Sequence, residues 1–173
     1  ADTKLLIAPD GTTVAINRDE YGVPHIQADN EAAMFFGQGF AEANDRLFQI
    51  DLNRRAATGR LSEWFGDYAL DVDKETLKLG YTDEELDIML ANTLPEVQVA
   101  VQAYADGINA YVDTMNLHPE LYMPEQYQDI DFVPFTVRDV CAFSVYMLRM
   151  FGMFGGDELT RLNELQNNGW DWF

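Results

Sequence analysis

The chain carries few side chains that could do covalent chemistry. Its two histidines, His25 and His118, each adjoin a proline, and neither has a Cys or His partner at metal-ligand spacing. The hydroxyl candidates are Ser62 and Ser144, and neither lies in a nucleophile elbow. The members of a Ser-His-Asp triad need not be close along a chain, so spacing alone does not exclude one, but its ingredients are scarce. Cys141 sits in an apolar helical pattern with Val140, Ala142 and Phe143, which predicts a buried, inert thiol. Gly37-Gln38-Gly39 lies inside a helical pattern and lacks the third glycine of a phosphate-cradling loop. The cluster Asp45-Arg46, Asp51 and Arg54-Arg55 remains. Asp51 can pair with Arg54 or Arg55, three and four positions on, either as a helix-surface salt-bridge set or as a buried network that bonds to a partner chain.

The bulk properties narrow the partners. With 30 acidic and 11 basic residues the net charge is -19, a surface that repels nucleic acid and anionic membrane. The excess of carboxylates reads as solubility, with a calcium site built from a few of them as the functional alternative. No run approaches the roughly 18 consecutive apolar residues of a membrane span. At 173 residues, 47% hydrophobic and 13% aromatic, the chain is long and apolar enough for one domain, residues 1–173, with a sizeable core. It begins Ala1-Asp2-Thr3 without an initiator Met, which fits a mature exported form, periplasmic or secreted, and fits equally a sequence cut from a longer one.

The elements that position these residues are mostly helical. Lys4–Ile7 and Thr13–Arg18 alternate around the turn Pro9-Asp10-Gly11 and predict a hairpin, with His25-Ile26-Gln27-Ala28 as a further short strand. Asp29 or Asn30 caps a helix whose apolar positions run from Ala32 to Ile50 and which Thr58-Gly59 ends. Within it, Gly37 and Gly39 predict close packing against another element. Thr82 and Glu85 form a capping box for a helix to about Asn92, and Pro95 opens another that His118-Pro119 stops. Residues 119–135 read as an irregular connection. Thr136 with Asp139 starts a helix to about Met153, broken by Gly152, Gly155 and Gly156, and a last helix begins at Asp157. The fold class is α+β, mostly helical with a short N-terminal hairpin. A hairpin alone is marginal, so its strands are expected to join a sheet supplied by something else.

Five blocks, taken in order, resemble the penicillin acylase family of the N-terminal nucleophile hydrolases, and its penicillin G acylase branch most. They are Arg18-Asp19-Glu20-Tyr21-Gly22-Val23-Pro24-His25; Gly37-Gln38-Gly39 with Asp45-Arg46-Leu47-Phe48-Gln49; Arg54-Arg55 with Gly59-Arg60-Leu61-Ser62-Glu63; Tyr104-Ala105-Asp106-Gly107-Ile108-Asn109-Ala110-Tyr111; and Met147 with Phe151. Members are made as one precursor and cut into a small α and a large β subunit. The resemblance therefore implies that this chain is the α subunit of a heterodimer, completing an αββα fold with a separate β subunit. No catalytic residue is then expected on this chain. The nucleophile would be the N-terminal Ser of the β subunit, whose own amine takes the hydroxyl proton.

The resemblance also implies site residues. Met147 and Phe151 line the acyl pocket, and residues four apart on a helix share a face. Arg149 is implied as the arginine that holds the substrate carboxylate, although it stands one place earlier than in the family pattern, about 100° around the helix. Glu158 is implied as a ligand to a structural calcium ion, with Asp157 taking that place if no residue is inserted. The implied reaction is hydrolysis of the side-chain amide of penicillin G-type arylacetyl substrates to a carboxylic acid and an amine such as 6-aminopenicillanic acid. Acyl-homoserine-lactone acylase activity is the alternative within the family, and a non-catalytic acidic helical binding protein is the alternative outside it.

Overall fold

The computed structural model describes residues 3–127, 132–153 and 156–170. Three short strands open the chain: β1 (Thr3–Ile7), β2 (Thr13–Arg18) and β3 (Pro24–Gln27). They pair antiparallel in the order β1-β2-β3, so the expected hairpin is the first half of a three-stranded meander. In the central strand Val14 and Ile16 are buried, two positions apart as the period of two requires. The opposite face of β1 leaves Leu5 and Ile7 exposed.

The β2–β3 turn is held by its own polar groups. One oxygen of Asp19 accepts the backbone N–H groups of Tyr21 at 2.9 Å and Val23 at 3.0 Å, while His25 Nε2 lies 3.1 Å from the other. Gly22 takes φ 80°, a left-handed conformation open to glycine at no steric cost. Arg18 then ties the turn to the first helix, donating to the Gly22 carbonyl at 2.8 Å and to both oxygens of Asp45 at 2.7 and 3.1 Å. The first motif is thus a rigid corner.

Helix α1 (Glu31–Thr58) begins at Asn30, whose side chain accepts the N–H of Ala33 at 2.8 Å, and ends at Gly59 in the left-handed region. It kinks at Arg46, where φ −145° and ψ 28° leave the helical region. The chain continues through α2 (Ser62–Phe65), a 3-10 turn, α3 (Leu70–Leu79), α4 (Asp83–Ala91) and α5 (Pro95–Leu117). The capping box of Thr82 and Glu85 and the first-turn Pro95 are both present. After the short α6 (Pro119–Tyr122) come a 3-10 turn at Glu125–Tyr127, α7 (Val137–Met153) and α8 (Asp157–Asn168).

The core lies where α1 crosses α5, with the sheet on one side and α7 on another. Phe36, Phe40, Leu47, Ile108, Tyr111 and Met115 fill it. The motif glycines make this crossing possible. A Cβ on Gly37 would lie 2.6 Å from Val14 and 2.7 Å from Ile26, so this residue seats the sheet on α1. Gly39 faces α5. No helix among the described residues is long and apolar enough to cross a membrane.

Candidate functional site

Helix α7 carries Met147, Arg149 and Phe151, the residues the resemblance implies for substrate binding, and it is anchored at its start and along its length. Thr136 and Asp139 cap it reciprocally: Asp139 accepts the Thr136 N–H and hydroxyl, each at 2.7 Å, and donates its own N–H to the Thr136 hydroxyl at 3.3 Å. Ala142 is buried and α7 packs along α1 and α4. Arg138 fixes the register against α4, reaching Asp87 at 2.9 and 2.7 Å and Asp83 at 3.1 Å.

On this frame Met147 is half-buried and Phe151 is 77% exposed. Four residues apart on α7, they share one face of the helix. Arg149 lies two residues, about 200°, from each, and so points to the reverse face. There it lines a groove of about 680 Å³ between α3, α4 and α7. Met147 and Phe151 thus share one face of α7, and Arg149 lies on the other. Gly152 lies within α7, and Gly156, at φ 141°, precedes α8. Phe154 and Gly155 lie outside the described residues, as do positions 128–131 of the connection after α6.

Glu158 and Asp157 stand exposed in the first turn of α8, where carboxylates complement the helix dipole. Among the described residues no three His, Cys, Asp or Glu side chains cluster as a metal site would need. Calcium takes six to eight oxygens, so the described residues supply at most a share of such a site.

The remaining chemistry-bearing side chains are occupied structurally. His25 pairs with Asp19, and His118 lies 3.8 Å from Glu120. Ser144 bonds back to the Val140 carbonyl at 2.8 Å, and Ser62 donates to Asp73 at 2.5 Å. Neither hydroxyl among the described contacts meets an imidazole. Cys141 is half-buried rather than fully enclosed, and burial pushes its thiol pKa up, away from the reactive thiolate.

The Asp51 cluster is a buried network, not a surface set. Asp51 is 0% exposed and Arg54 is 2%. One Asp51 oxygen accepts Arg54 Nε at 2.8 Å and Nη2 at 2.5 Å; the other accepts the Tyr127 hydroxyl at 3.1 Å. Arg54 Nη1 donates to the Val133 carbonyl at 2.8 Å. Arg55 pairs with Glu63 and lies over the Trp64 ring, 4.4 Å from its centroid. Burial first, and Asp51 second, push the Tyr127 pKa far above its ordinary value, so its hydroxyl remains a donor. Within this chain the network ties α1 to α2 and to the start of α7.

Asp73 was not legible as a functional position, yet it organises the α1–α3 connection. Buried on α3, it accepts Leu61 N–H at 2.9 Å and Ser62 N–H at 2.7 Å besides the Ser62 hydroxyl. Burial acts to raise its pKa, but the hydrogen bonds from Ser62 and Leu61 outweigh it and hold the carboxyl below its usual value.

Comparison with known proteins agrees with this arrangement. Residues 13–172 match the penicillin amidase family. Penicillin G acylase of Escherichia coli is 36% identical over 129 residues, which is 75% of this chain and 15% of that protein. The acyl-homoserine lactone acylase QuiP of Pseudomonas aeruginosa is 33% identical over 126 residues, 68% of this chain and 14% of that one. A solved thermostable penicillin G acylase from Alcaligenes faecalis superposes with a TM-score of 0.75 at 31% identity, covering 92% of this chain and 86% of that chain. This chain therefore spans about a seventh of the length of these curated relatives, but most of a chain in the solved acylase. With its motif glycines at the helix crossing, its buried Asp51–Arg54 network and its match over residues 13–172, the chain belongs to the penicillin amidase family.

Proposed function

We propose that this chain is the α subunit, a single domain, of a two-chain amide hydrolase whose nucleophile is the N-terminal Ser of a β subunit cut from the same precursor. One observation carries the reading: the chain covers 15% of a full-length penicillin G acylase but 86% of a chain in a solved one. A polypeptide of about this length thus exists separately in that structure. A curated relative from Pseudomonas, penicillin acylase 2, is described as a proenzyme, which fits the same cut. The exposed outer face of β1, with Leu5 and Ile7, is then a surface for the partner's sheet to cover, completing an αββα sandwich.

The reaction we infer is hydrolysis of an arylacetyl amide of the penicillin G type. The chain's part is to shape the acyl pocket with Met147 and Phe151, while the partner supplies the nucleophile and oxyanion donors. An apolar wall left 77% exposed at Phe151 fits a pocket closed by a second chain. The likeness to QuiP, 33% identical over 68% of this chain, favours acyl-homoserine-lactone acylase activity as the second reading. Export to the periplasm or medium, and a structural calcium held partly by Glu158, belong to the same proposal; elemental analysis of the native complex tests the calcium. The activity test compares the native complex with this chain alone on a chromogenic phenylacetyl anilide and a long-chain acyl-homoserine lactone. Turnover of the anilide by the complex only is expected; turnover by this chain alone contradicts the reading.

A further inference from the structure

The groove that Arg149 lines lies on the face of α7 turned away from Met147 and Phe151. Its walls are Leu77 of α3, Leu86 and Met89 of α4, and Val145 of α7, with the Thr58, Thr76 and Thr82 positions between them. Arg149 lies in it with its guanidinium carbon 5.4 Å from the Tyr146 ring centroid. Its Nε is buried and meets no hydrogen-bond acceptor among the described residues. A guanidinium has five N–H donors and no acceptor of its own, so a donor enclosed without a partner is unstable until an oxygen arrives. Arg54 marks the contrast: its described side-chain hydrogen bonds end on Asp51 and on the Val133 and Pro134 carbonyls.

We propose that a segment of the β subunit seats in this groove, apolar on either side of one acidic side chain whose carboxylate pairs with Arg149. This rests on the two-chain reading above. Three observations select that occupant. The rim is apolar and open, with Leu148 75% exposed, Leu77 67%, and Leu79 and Tyr81 beside them, a pattern of macromolecular contact rather than of an enclosed small-ligand cavity. The chain covers only about 15% of its full-length relatives, so most of the polypeptide is available to supply the segment. The net charge of -19 repels an acidic side chain over most of the surface, so a waiting guanidinium selects one docking register.

The test uses the native complex. Leu77→Cys and Leu148→Cys are introduced separately in a Cys141→Ala background, and thiol labelling by a maleimide is timed before and after urea denaturation. Protection of at least about tenfold in the native complex is expected, the scale of a buried, slowly opening site. Arg149→Glu is expected to lower the urea concentration at which the two chains separate, and Arg149→Lys to lower it less. If a second chain co-purifies and both thiols label as fast as in urea, the groove is open and the proposal is wrong while the two-chain reading stands. If no second chain is found, the two-chain reading itself fails. Protection without any effect of Arg149→Glu overturns the carboxylate pairing. Protection that appears only when phenylacetate is added assigns the groove to a free carboxylic acid and overturns the proposal.

Discussion

Gly39 and Gly107 face each other's helices at the crossing of α1 and α5. A Cβ on Gly39 would lie 2.1 Å from the Tyr104 carbonyl oxygen, and a Cβ on Gly107 would lie 2.0 Å from that of Phe36. The obstacles are backbone atoms, which cannot rotate aside. Two motifs far apart in sequence are therefore the two halves of one contact. Gly39→Ala or Gly107→Ala should push the helices apart and cost about 1–3 kcal/mol or more, the scale of overpacking in a tight core. Urea unfolding of the native protein reads this directly; a midpoint unchanged in both variants would contradict the crossing.

How much of this was legible in sequence depended on whether the signal was local. The caps at Asn30, Thr82 and Thr136 were readable because an acceptor side chain and its N–H lie within three residues. Close packing at Gly37 and Gly39 was readable from the cost of glycine inside a helix. Helix α3 was not, because the positions it buries are Asp73 and Thr76 while Val72, Leu77 and Leu79 stay exposed, reversing the usual apolar stripe. The kink at Arg46 has no proline or glycine to announce it. That Met147 and Phe151 share a helix face was legible from their spacing, whereas the groove that Arg149 lines joins several elements and needed the fold.

Breaking the buried network should be expensive. In Asp51→Asn the Arg54 and Arg55 guanidinium groups lose the carboxylate between them, 2.5 and 3.5 Å away. Leaving a buried charge unpaired costs about 3–5 kcal/mol. The variant should unfold at markedly lower denaturant, and a loss below about 1 kcal/mol would mean that Asp51 is dispensable.

Asp73 gives a pH dependence with a definite sign. Its carboxyl pKa is held below the ordinary 3.8 in the fold, so the folded state favours the ionised form. The stability it contributes is fully present above the unfolded pKa and is lost as pH falls through the lower folded value. The native protein should therefore lose stability on acidification below about pH 4, and Asp73→Asn should flatten part of that loss. Identical acid-unfolding curves for the two proteins would remove Asp73 from the account.

Phe151→Ala should enlarge the acyl pocket. The expected outcome is weaker transition-state binding of phenylacetyl substrates by about 1–3 kcal/mol, with bulkier acyl groups favoured in relative terms. Because Phe151 is 77% exposed in this chain, its truncation should have little effect on the subunit's own core. Comparing kcat/KM across a series of acyl anilides for this variant and for Met147→Ala decides the point. An unchanged ranking of acyl groups in both variants would assign the two residues to packing alone.

On the proposed reading, this chain is one part of a two-chain enzyme and holds no nucleophile. Native mass spectrometry of the active protein purified from its own source tests it most directly. One copy of this chain bound to a second, several-fold longer polypeptide whose first residue is Ser is expected. An active species consisting of this chain alone would contradict it.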